Sequence, residues 1–300
     1  MSKLNGFLML IRPKQWIKNV FVILPFLFIA NEVKAKDFVT GFQMLVTFTL
    51  ASSAVYCFND VYDAAKDKLE NRRNRPIAIG AVRPRDAQLL STLLMSCSIA
   101  LCLTFSSEPR HSSLIIILYL GMNFLYSKYE LKKHSSIGLM IVASGFPLRF
   151  LFGTVFLDLE ISYWALIMLL YLSLFLLAGK RLSRSTQIAN QHMVNDSQNR
   201  NHHYSEVEFW RHILIILGAA SISSYLAFLA DTKTQNHWGS SFSMFSVIPY
   251  SIFILTYFEF VVKQKHDGDA TENIANNLSF LALGAIWTLI MLASRLNQIQ

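Results

Sequence analysis

Charged residues are scarce in this sequence. Asp, Glu, Lys and Arg make up 15% of the 300 residues, whereas hydrophobic residues make up 53%. Three hundred residues would suit two soluble domains by length alone, but the composition overrides that expectation. The 23 phenylalanines, together with apolar runs of about 17–20 residues, predict transmembrane helices instead.

Cysteine is also rare, and its placement excludes two kinds of site. Cys57, Cys97 and Cys102 all lie in apolar segments, with neither metal-ligand spacing nor a disulfide framework. The histidines between positions 192 and 212 form no ligand array with carboxylates, so no zinc site is predicted. The sequence also lacks a glycine-rich nucleotide loop and the nucleophile motif of a soluble enzyme.

Nine apolar segments can be counted, and the basic residues between them are unevenly distributed. Most of the 27 Lys and Arg lie in the N-terminal stretch and in every second connection, which the positive-inside rule assigns to the cytoplasm. This predicts an all-α, polytopic protein of the inner (cytoplasmic) membrane, with a cytoplasmic N-terminus and an external C-terminus. The bias explains the net charge of +8 without nucleic acid as a partner. The segments are 16–31, 41–58, 87–105, 112–126, 137–156, 162–178, 212–230, 245–262 and 278–294.

An acidic stretch, Asn59–Asp67, follows directly on the second apolar segment. On a helix, Asn59, Asp60, Asp63 and Asp67 fall within an arc of roughly 100°. Carboxylates on one face repel each other, and a divalent cation such as Mg²⁺ would relieve that repulsion. The sequence therefore predicts that these four residues bind metal. The alternatives are a solvated acidic cap, or neutralisation by the Lys and Arg between positions 66 and 85.

Basic residues near this stretch and at the ends of other segments suggest phosphate binding, because Arg forms bidentate contacts with phosphate. The alternative is positive-inside sorting, with contacts to anionic lipid head groups or, around Trp16, an interfacial anchor. The candidates are Arg72, Arg73 and Arg75 before Pro76, Lys14 and Lys18 beside Trp16, and Lys180 and Arg181 at the end of the sixth segment.

Arg149 lies within the fifth apolar segment, where a charged side chain is costly and usually faces a cavity or a partner. A substrate phosphate or an inward carboxylate would suit as the partner, and snorkelling to the interface is the alternative. Pro147 would kink this helix and open a cleft.

With Asn59-Asp60-x-x-Asp63-x-x-x-Asp67 at the end of the second of nine spans, the sequence resembles the UbiA superfamily of intramembrane prenyltransferases. Within it, the sequence is most similar to the subgroup that transfers phosphoribosyl groups. Gly138 is a departure, because the superfamily usually has an acid of a second motif there. Either the metal relies on the first motif together with Asp269 or Glu272, or a single ion suffices. The stretches that carry the resemblance are 12–19, 59–80, 131–132, 145–153, 178–181 and 268–274.

The resemblance implies one integral-membrane domain over residues 1–300, with a central cavity open to the cytoplasm and to the lipid bilayer. It implies Mg²⁺ as cofactor, phosphoribosyl diphosphate as donor and polyprenyl phosphate as acceptor, for lipid-linked pentofuranose and cell-envelope glycan synthesis. A homo-oligomer is compatible with it. The expected catalytic residues are Asp60, Asp63 and Lys180. The expected substrate-binding residues are Lys14, Lys18, Asn59, Arg73, Arg75, Tyr126, Lys132, Arg149 and Arg181.

Two alternatives stay open. A UbiA-type prenyltransferase would move a prenyl group from a prenyl diphosphate to an aromatic or quinone-precursor acceptor. That enzyme needs only a diphosphate site and an apolar acceptor pocket. A membrane transporter would need polar residues through the membrane and on both faces, yet the outer connections are chemically plain.

Overall fold

The computed structural model describes residues 3–28, 35–72, 74–129, 135–192, 200–238, 240–263, 274 and 277–299. Helices and short turns account for these residues, with no strand among them, so the all-α prediction is confirmed. Helices satisfy their own backbone hydrogen bonds, which a membrane interior requires. The α-helices are α1 (Lys3–Ile11), α2 (Val20–Ile23), α3 (Ala35–Leu69), α4 (Pro84–Phe105), α5 (Pro109–Lys128), α6 (Ser135–Phe156), α7 (Tyr163–His192), α8 (Arg200–Ala230), α9 (Thr232–Trp238), α10 (Ser240–Ser243), α11 (Val247–Lys263) and α12 (Leu278–Ile299). The 3₁₀ helices are Pro13–Asn19, Leu24–Phe28 and Met244–Ser246.

Seven of the described helices are long and apolar enough to cross a membrane, which indicates a multi-pass membrane protein. They correspond to seven of the nine predicted segments. The predicted spans 16–31 and 112–126 are not among them, so the described part of the chain does not confirm the count of nine. The sidedness that the positive-inside rule assigns stays a prediction.

The two exceptions have different physical causes. The first segment, as far as residue 28, is a short α-helix between two 3₁₀ helices, and Pro25 in the second of them cannot donate a backbone hydrogen bond. Helix α5 has 20 residues, enough to span about 30 Å. Its mean hydropathy is lowered by Arg110, His111, Asn123 and Lys128.

The described helices form two compact units, Met1–Ile161 and Ser162–Gln300. In the first unit, α3 is central and contacts α1, α2, α4, α5 and α6. The Ser91 hydroxyl of α4 donates to the carbonyl oxygen of Ala54 in α3 at 2.8 Å, and Ser98 donates to that of Thr47 at 2.8 Å. Such hydrogen bonds, with small residues, let membrane helices approach closely. The expectation of one domain over the whole chain stays a prediction.

Aromatic packing fills the core of the first unit. The Phe48 ring of α3 lies 4.8 Å from the ring of Tyr119 in α5 and 5.2 Å from that of Phe152 in α6. Helix α6 also meets the broken N-terminal segment, because a Cβ atom at Gly153 would lie 2.1 Å from the carbonyl oxygen of Val22. Glycine is therefore required there for the two backbones to touch.

The second unit contains a buried polar cluster. The Tyr225 ring of α8 stacks on the Tyr250 ring of α11 at 4.4 Å. The Tyr225 hydroxyl lies 2.6 Å from the Ser246 hydroxyl and accepts from the Trp287 indole N–H at 2.6 Å. These contacts connect α8, α11 and α12, and they give the buried tyrosine the hydrogen-bond partners that it needs.

Replacing Gly153 tests the contact between α6 and the N-terminal segment. Gly153→Ala would force two backbones apart, and overpacking of this kind costs about 1–3 kcal/mol. We therefore expect a lower Tm in detergent, measured by temperature-dependent aggregation. Gly121→Ala in α5 is the matched control, because a Cβ atom there meets nothing within 4 Å. An equal loss of Tm in both variants would contradict the close approach of the two backbones.

Candidate active site

The predicted acidic residues lie on the last turns of α3, with Asp60, Asp63 and Asp67 on successive turns of the helix. Asp60 is 2% exposed and Asp67 is 3% exposed, whereas Asp63 is half-buried. Two carboxylates are thus almost fully removed from water, and such groups require counter-charges or a metal.

Three arginines supply counter-charges. Asp60 Oδ1 accepts hydrogen bonds from Arg12 Nη2 and from Arg75 Nη1, the latter at 2.5 Å. Asp67 forms ion pairs of 3.5 Å with the Nε atoms of Arg72 and Arg75. Arg75 therefore bridges the two buried carboxylates. Arg72 and Arg75 belong to the basic residues between positions 66 and 85 that are the alternative to a metal, whereas Arg12 lies before α3.

Arg12 was not among the predicted site residues. The sequence of the stretch around it is typical of a membrane interface. Its backbone is left-handed, with φ 50°, immediately before Pro13, and this turn separates α1 from the following 3₁₀ helix. The guanidinium lies 5.1 Å from the centre of the Tyr56 ring and contacts Asp60. No spacing rule connects positions 48 residues apart, so only the resemblance at residues 12–19 pointed to it.

A compact turn after α3 aims Arg75 at the acids. The Ile79 N–H donates to the Arg75 carbonyl oxygen at 3.1 Å, and Gly80 adopts a positive φ of 76°. Ile77 and Val82 are buried in a small core that also contains Leu10 and Cys57. Because these apolar side chains fix the turn to α1 and α3, the Arg75 guanidinium reaches both carboxylates.

Asn59 is held by α5. The Ser127 hydroxyl donates to Asn59 Oδ1 at 2.5 Å, which orients the carboxamide that the sequence predicts as a metal ligand. Tyr126 is half-buried beside Ser127 at the end of α5. Two other predicted substrate-binding residues, Arg73 and Lys132, lie outside the described residues, as do Asp269 and Glu272.

The acidic residues fit a cation in one respect. The Oδ2 atoms of Asp60 and Asp67 are buried and accept no hydrogen bond, and carboxylate oxygens are the ligands that Mg²⁺ favours. However, the described residues contain no group of three Asp, Glu, His or Cys already close enough to hold a metal. Gly138, in the first turn of α6, contributes no carboxylate. A metal would therefore compete with arginines for Asp60 and Asp67.

The 3₁₀ helix Pro13–Asn19 carries the predicted Lys14 and Lys18. The Trp16 indole N–H lies within hydrogen-bonding distance of both the Ile11 carbonyl oxygen, at 3.1 Å, and Ser53 Oγ of α3, at 3.2 Å. This segment is therefore attached to α3 by a side-chain contact, in addition to any anchoring that Trp16 provides at the interface.

Arg149 is buried in α6, which continues through Pro147. Its guanidinium donates to Asn19 Oδ1 at 3.0 Å, to the Gly145 carbonyl oxygen at 2.6 Å and to the Tyr119 hydroxyl at 3.1 Å. These acceptors are neutral, whereas the sequence suggested a phosphate or a carboxylate. Substrate binding by Arg149, and a kink at Pro147, stay predictions.

Lys180 and Arg181 lie in α7, which belongs to the second unit. Lys180 is exposed and Arg181 is half-buried. The preceding Gly179 packs against Tyr257, whose hydroxyl donates to the Leu176 carbonyl oxygen at 2.8 Å. A Cβ atom at position 179 would lie 2.6 Å from the Tyr257 ring. Glycine therefore allows α11 to pack beside these two basic residues.

Comparison with known proteins gives consistent matches. The model of the UbiA prenyltransferase family matches residues 19–281. The chain is 27% identical over 296 residues to decaprenyl-phosphate phosphoribosyltransferase of Corynebacterium glutamicum, covering 96% of this chain and 86% of that protein. It is 29% identical over 262 residues to the protein of the same name from Mycobacterium tuberculosis, covering 84% and 82% of the two chains.

Solved structures resemble the fold. A UbiA homologue from Archaeoglobus fulgidus bound to DMAPP and Mg²⁺ superimposes with a TM-score of 0.68 and 17% identity, covering 98% of this chain and 99% of that one. A digeranylgeranylglyceryl phosphate synthase superimposes with a TM-score of 0.62 and 19% identity, covering 100% and 99%. The predicted membrane fold is confirmed by these similarities.

Removing Arg75 tests whether it neutralises both acids. Arg75→Met should leave Asp60 and Asp67 under-compensated, at a cost of about 2–3 kcal/mol given its 20% exposure. We expect a lower Tm in metal-free detergent solution, and partial recovery when Asp60→Asn is added. Arg72→Met is the control, because its side chain is 44% exposed and should matter less. Equal losses from both arginines, with no recovery in the double variant, would contradict the bridge.

Proposed function

Because the chain belongs to the UbiA prenyltransferase family, we propose that it transfers a 5-phosphoribosyl group from phosphoribosyl diphosphate to a polyprenyl phosphate. The similarity to decaprenyl-phosphate phosphoribosyltransferases, over most of both chains, supports this choice. The observation in the structure that carries it is the meeting of Arg12, Arg72 and Arg75 at the acidic end of α3. Such a group of guanidiniums would bind the phosphates of a substrate that carries several.

The acids of α3 are proposed to hold Mg²⁺. The Oδ2 atoms of Asp60 and Asp67, which accept no hydrogen bond, are the first candidates, and Asp63 and Asn59 lie on the same part of the helix. A bound Mg²⁺ would neutralise charge on the departing diphosphate and so ease cleavage of the anomeric C–O bond. Ser127 would keep Asn59 oriented, as residues that hydrogen-bond to metal ligands do at metal sites.

The arginines are proposed to change partners when substrate binds. Arg12 and Arg75 both donate to one oxygen of Asp60. Once a cation neutralises that carboxylate, either guanidinium becomes available to donate two parallel hydrogen bonds to phosphate. The donor's 5-phosphate and the lipid phosphate would each require such a group, and Lys14 and Lys18 lie on the segment that follows Arg12.

The acceptor makes modest demands on the protein. A polyprenyl phosphate oxygen is already ionised, so its attack on the anomeric carbon requires no general base. The carbon–oxygen bond to the lipid forms as the bond to diphosphate breaks, and the charge on diphosphate is taken up by cationic groups. Lys180, Arg181, Arg73, Lys132, Tyr126 and Arg149 stay predicted contributors to catalysis or binding.

The membrane supplies the acceptor and sets the geometry. We propose that the acidic end of α3 faces the cytoplasm of a cell with an inner membrane, where a soluble phosphosugar can reach it. The product would be a lipid-linked phosphoribose, for use in pentofuranose donors and cell-envelope glycans. A homo-oligomer is compatible with this proposal, and nucleic acid has no role in it.

A direct assay tests the substrates. Membranes containing the protein should convert radiolabelled phosphoribosyl diphosphate and polyprenyl phosphate to a labelled lipid, with release of diphosphate. Membranes without the protein are the control. Absence of labelled lipid, together with turnover of a prenyl diphosphate and an aromatic or quinone-precursor acceptor, would overturn this function in favour of the prenyltransferase alternative.

The acids can be tested separately. Asp60→Asn and Asp63→Asn should each reduce kcat by at least about 100-fold, since loss of a metal ligand removes charge stabilisation of the leaving group. The Mg²⁺ concentration for half-maximal activity should rise in parallel. Asp37→Asn, at the opposite end of the same helix, is the matched control and should retain activity. Unchanged kcat and Mg²⁺ dependence in the two site variants would exclude these acids as metal ligands.

A further inference from the structure

Arg149 is a buried cation whose described partners are uncharged. It is 5% exposed within a helix that is apolar enough to span a membrane. Its guanidinium carbon lies 5.2 Å from the ring centres of Phe48 and Tyr119 and 5.7 Å from that of Phe146. Aromatic faces and oriented dipoles can stabilise a charge in such surroundings.

The hydrogen bonds of Arg149 engage all three guanidinium nitrogens with protein acceptors. Nε donates to Asn19, Nη1 to the Gly145 carbonyl oxygen and Nη2 to the Tyr119 hydroxyl. These bonds use three of the five guanidinium N–H groups. A ligand that displaced any of the three acceptors would leave that acceptor buried without its partner.

Asn19 is the partner that connects Arg149 to the candidate active site. It is fully buried and ends the 3₁₀ helix that carries Lys14 and Lys18. Its Oδ1 accepts from Arg149, while its Nδ2 donates to Thr49 Oγ1 at 3.0 Å and to Ser52 Oγ at 3.2 Å in α3. A guanidinium cannot accept a hydrogen bond, so the carboxamide has only one favourable orientation.

We propose that Arg149 is a positioning residue that acts through Asn19. It fixes the C-terminal end of the segment 12–19 against α3, while the Arg12–Asp60 ion pair fixes the other end. Lys14 and Lys18 lie between these two attachments. Arg149 therefore fixes the position of these lysines without contacting the substrate. The catalytic part of this inference rests on the proposed function, whereas the attachment itself does not.

Limited trypsin digestion of the intact protein in detergent tests the attachment. Asn19→Leu and Arg149→Met should each speed cleavage after Lys14 and Lys18 by about tenfold, the equivalent of one hydrogen bond to a charged group. Cleavage after Lys66 and Lys68, measured in the same digest, should not change. The double variant should be cleaved no faster than the more sensitive single variant, because both remove one interaction.

Two variants separate this effect from general loss of stability. Ser91→Ala removes a different buried hydrogen bond of the same unit and should leave the ratio of the two cleavage rates unchanged. Arg149→Lys keeps the charge and should accelerate cleavage less than Arg149→Met does. It can also be measured if Arg149→Met fails to fold. Equal acceleration at all four lysines, additive effects in the double variant, or no acceleration would overturn the proposal.

Steady-state kinetics distinguish positioning from direct phosphate binding. If Arg149 acts through Asn19, then Asn19→Leu and Arg149→Lys should both raise KM for phosphoribosyl diphosphate about tenfold, with a smaller change in kcat. An unchanged KM in Asn19→Leu, beside a raised KM in Arg149→Lys, would assign Arg149 to the substrate instead. If no variant, including the wild type, turns over this donor, the proposed function fails while the digestion result still decides the attachment.

Discussion

Burial of the Asp60 carboxylate at the end of a membrane helix is the constraint on which the surrounding structure depends. A carboxylate at 2% exposure is tolerated only with close counter-charges. Arg12 comes from the segment before α2 and Arg75 from the turn after α3, so this one side chain holds together two parts of the chain that flank the helix. The left-handed backbone at Arg12 is a local cost that this pairing offsets.

The same ion pairs suit the proposed exchange of ligands. The carboxylates of Asp60 and Asp67 face the guanidiniums of Arg12, Arg72 and Arg75, so these five groups together carry one net positive charge. In the proposed function, a divalent cation would pair with the carboxylates and a diphosphate with the guanidiniums. No charge would then be buried without a partner of opposite sign, which would limit the cost of binding.

Sequence periodicity predicted the helical acids correctly, because spacings of three and four residues place side chains on one helix face regardless of tertiary contacts. Seven of the nine predicted spans correspond to helices that are long and apolar enough to cross a membrane. The sequence did not predict that Pro13–Asn19 and Leu24–Phe28 form 3₁₀ helices, since an apolar run containing Pro25 has the composition of a span without its hydrogen bonding. Nor could local rules find the Arg12–Asp60 pair, which depends on how α1 and the turn containing Ile77 pack against α3.

Arg75 and Arg149 are both arginines of the first unit with little exposure, and their partners differ. Arg75 is 20% exposed and pairs with carboxylates, so in the proposed function a metal would neutralise those carboxylates and a phosphate would take their place beside Arg75. Arg149 pairs with a carboxamide, a carbonyl and a phenol, which no change in metal occupancy would release. Sequence alone makes Arg149 the more conspicuous candidate, because it lies inside an apolar segment. The contacts in the structure instead favour Arg75, beside the acids, as the candidate for ligand contact, and they connect Arg149 to Asn19 at the end of the segment 12–19.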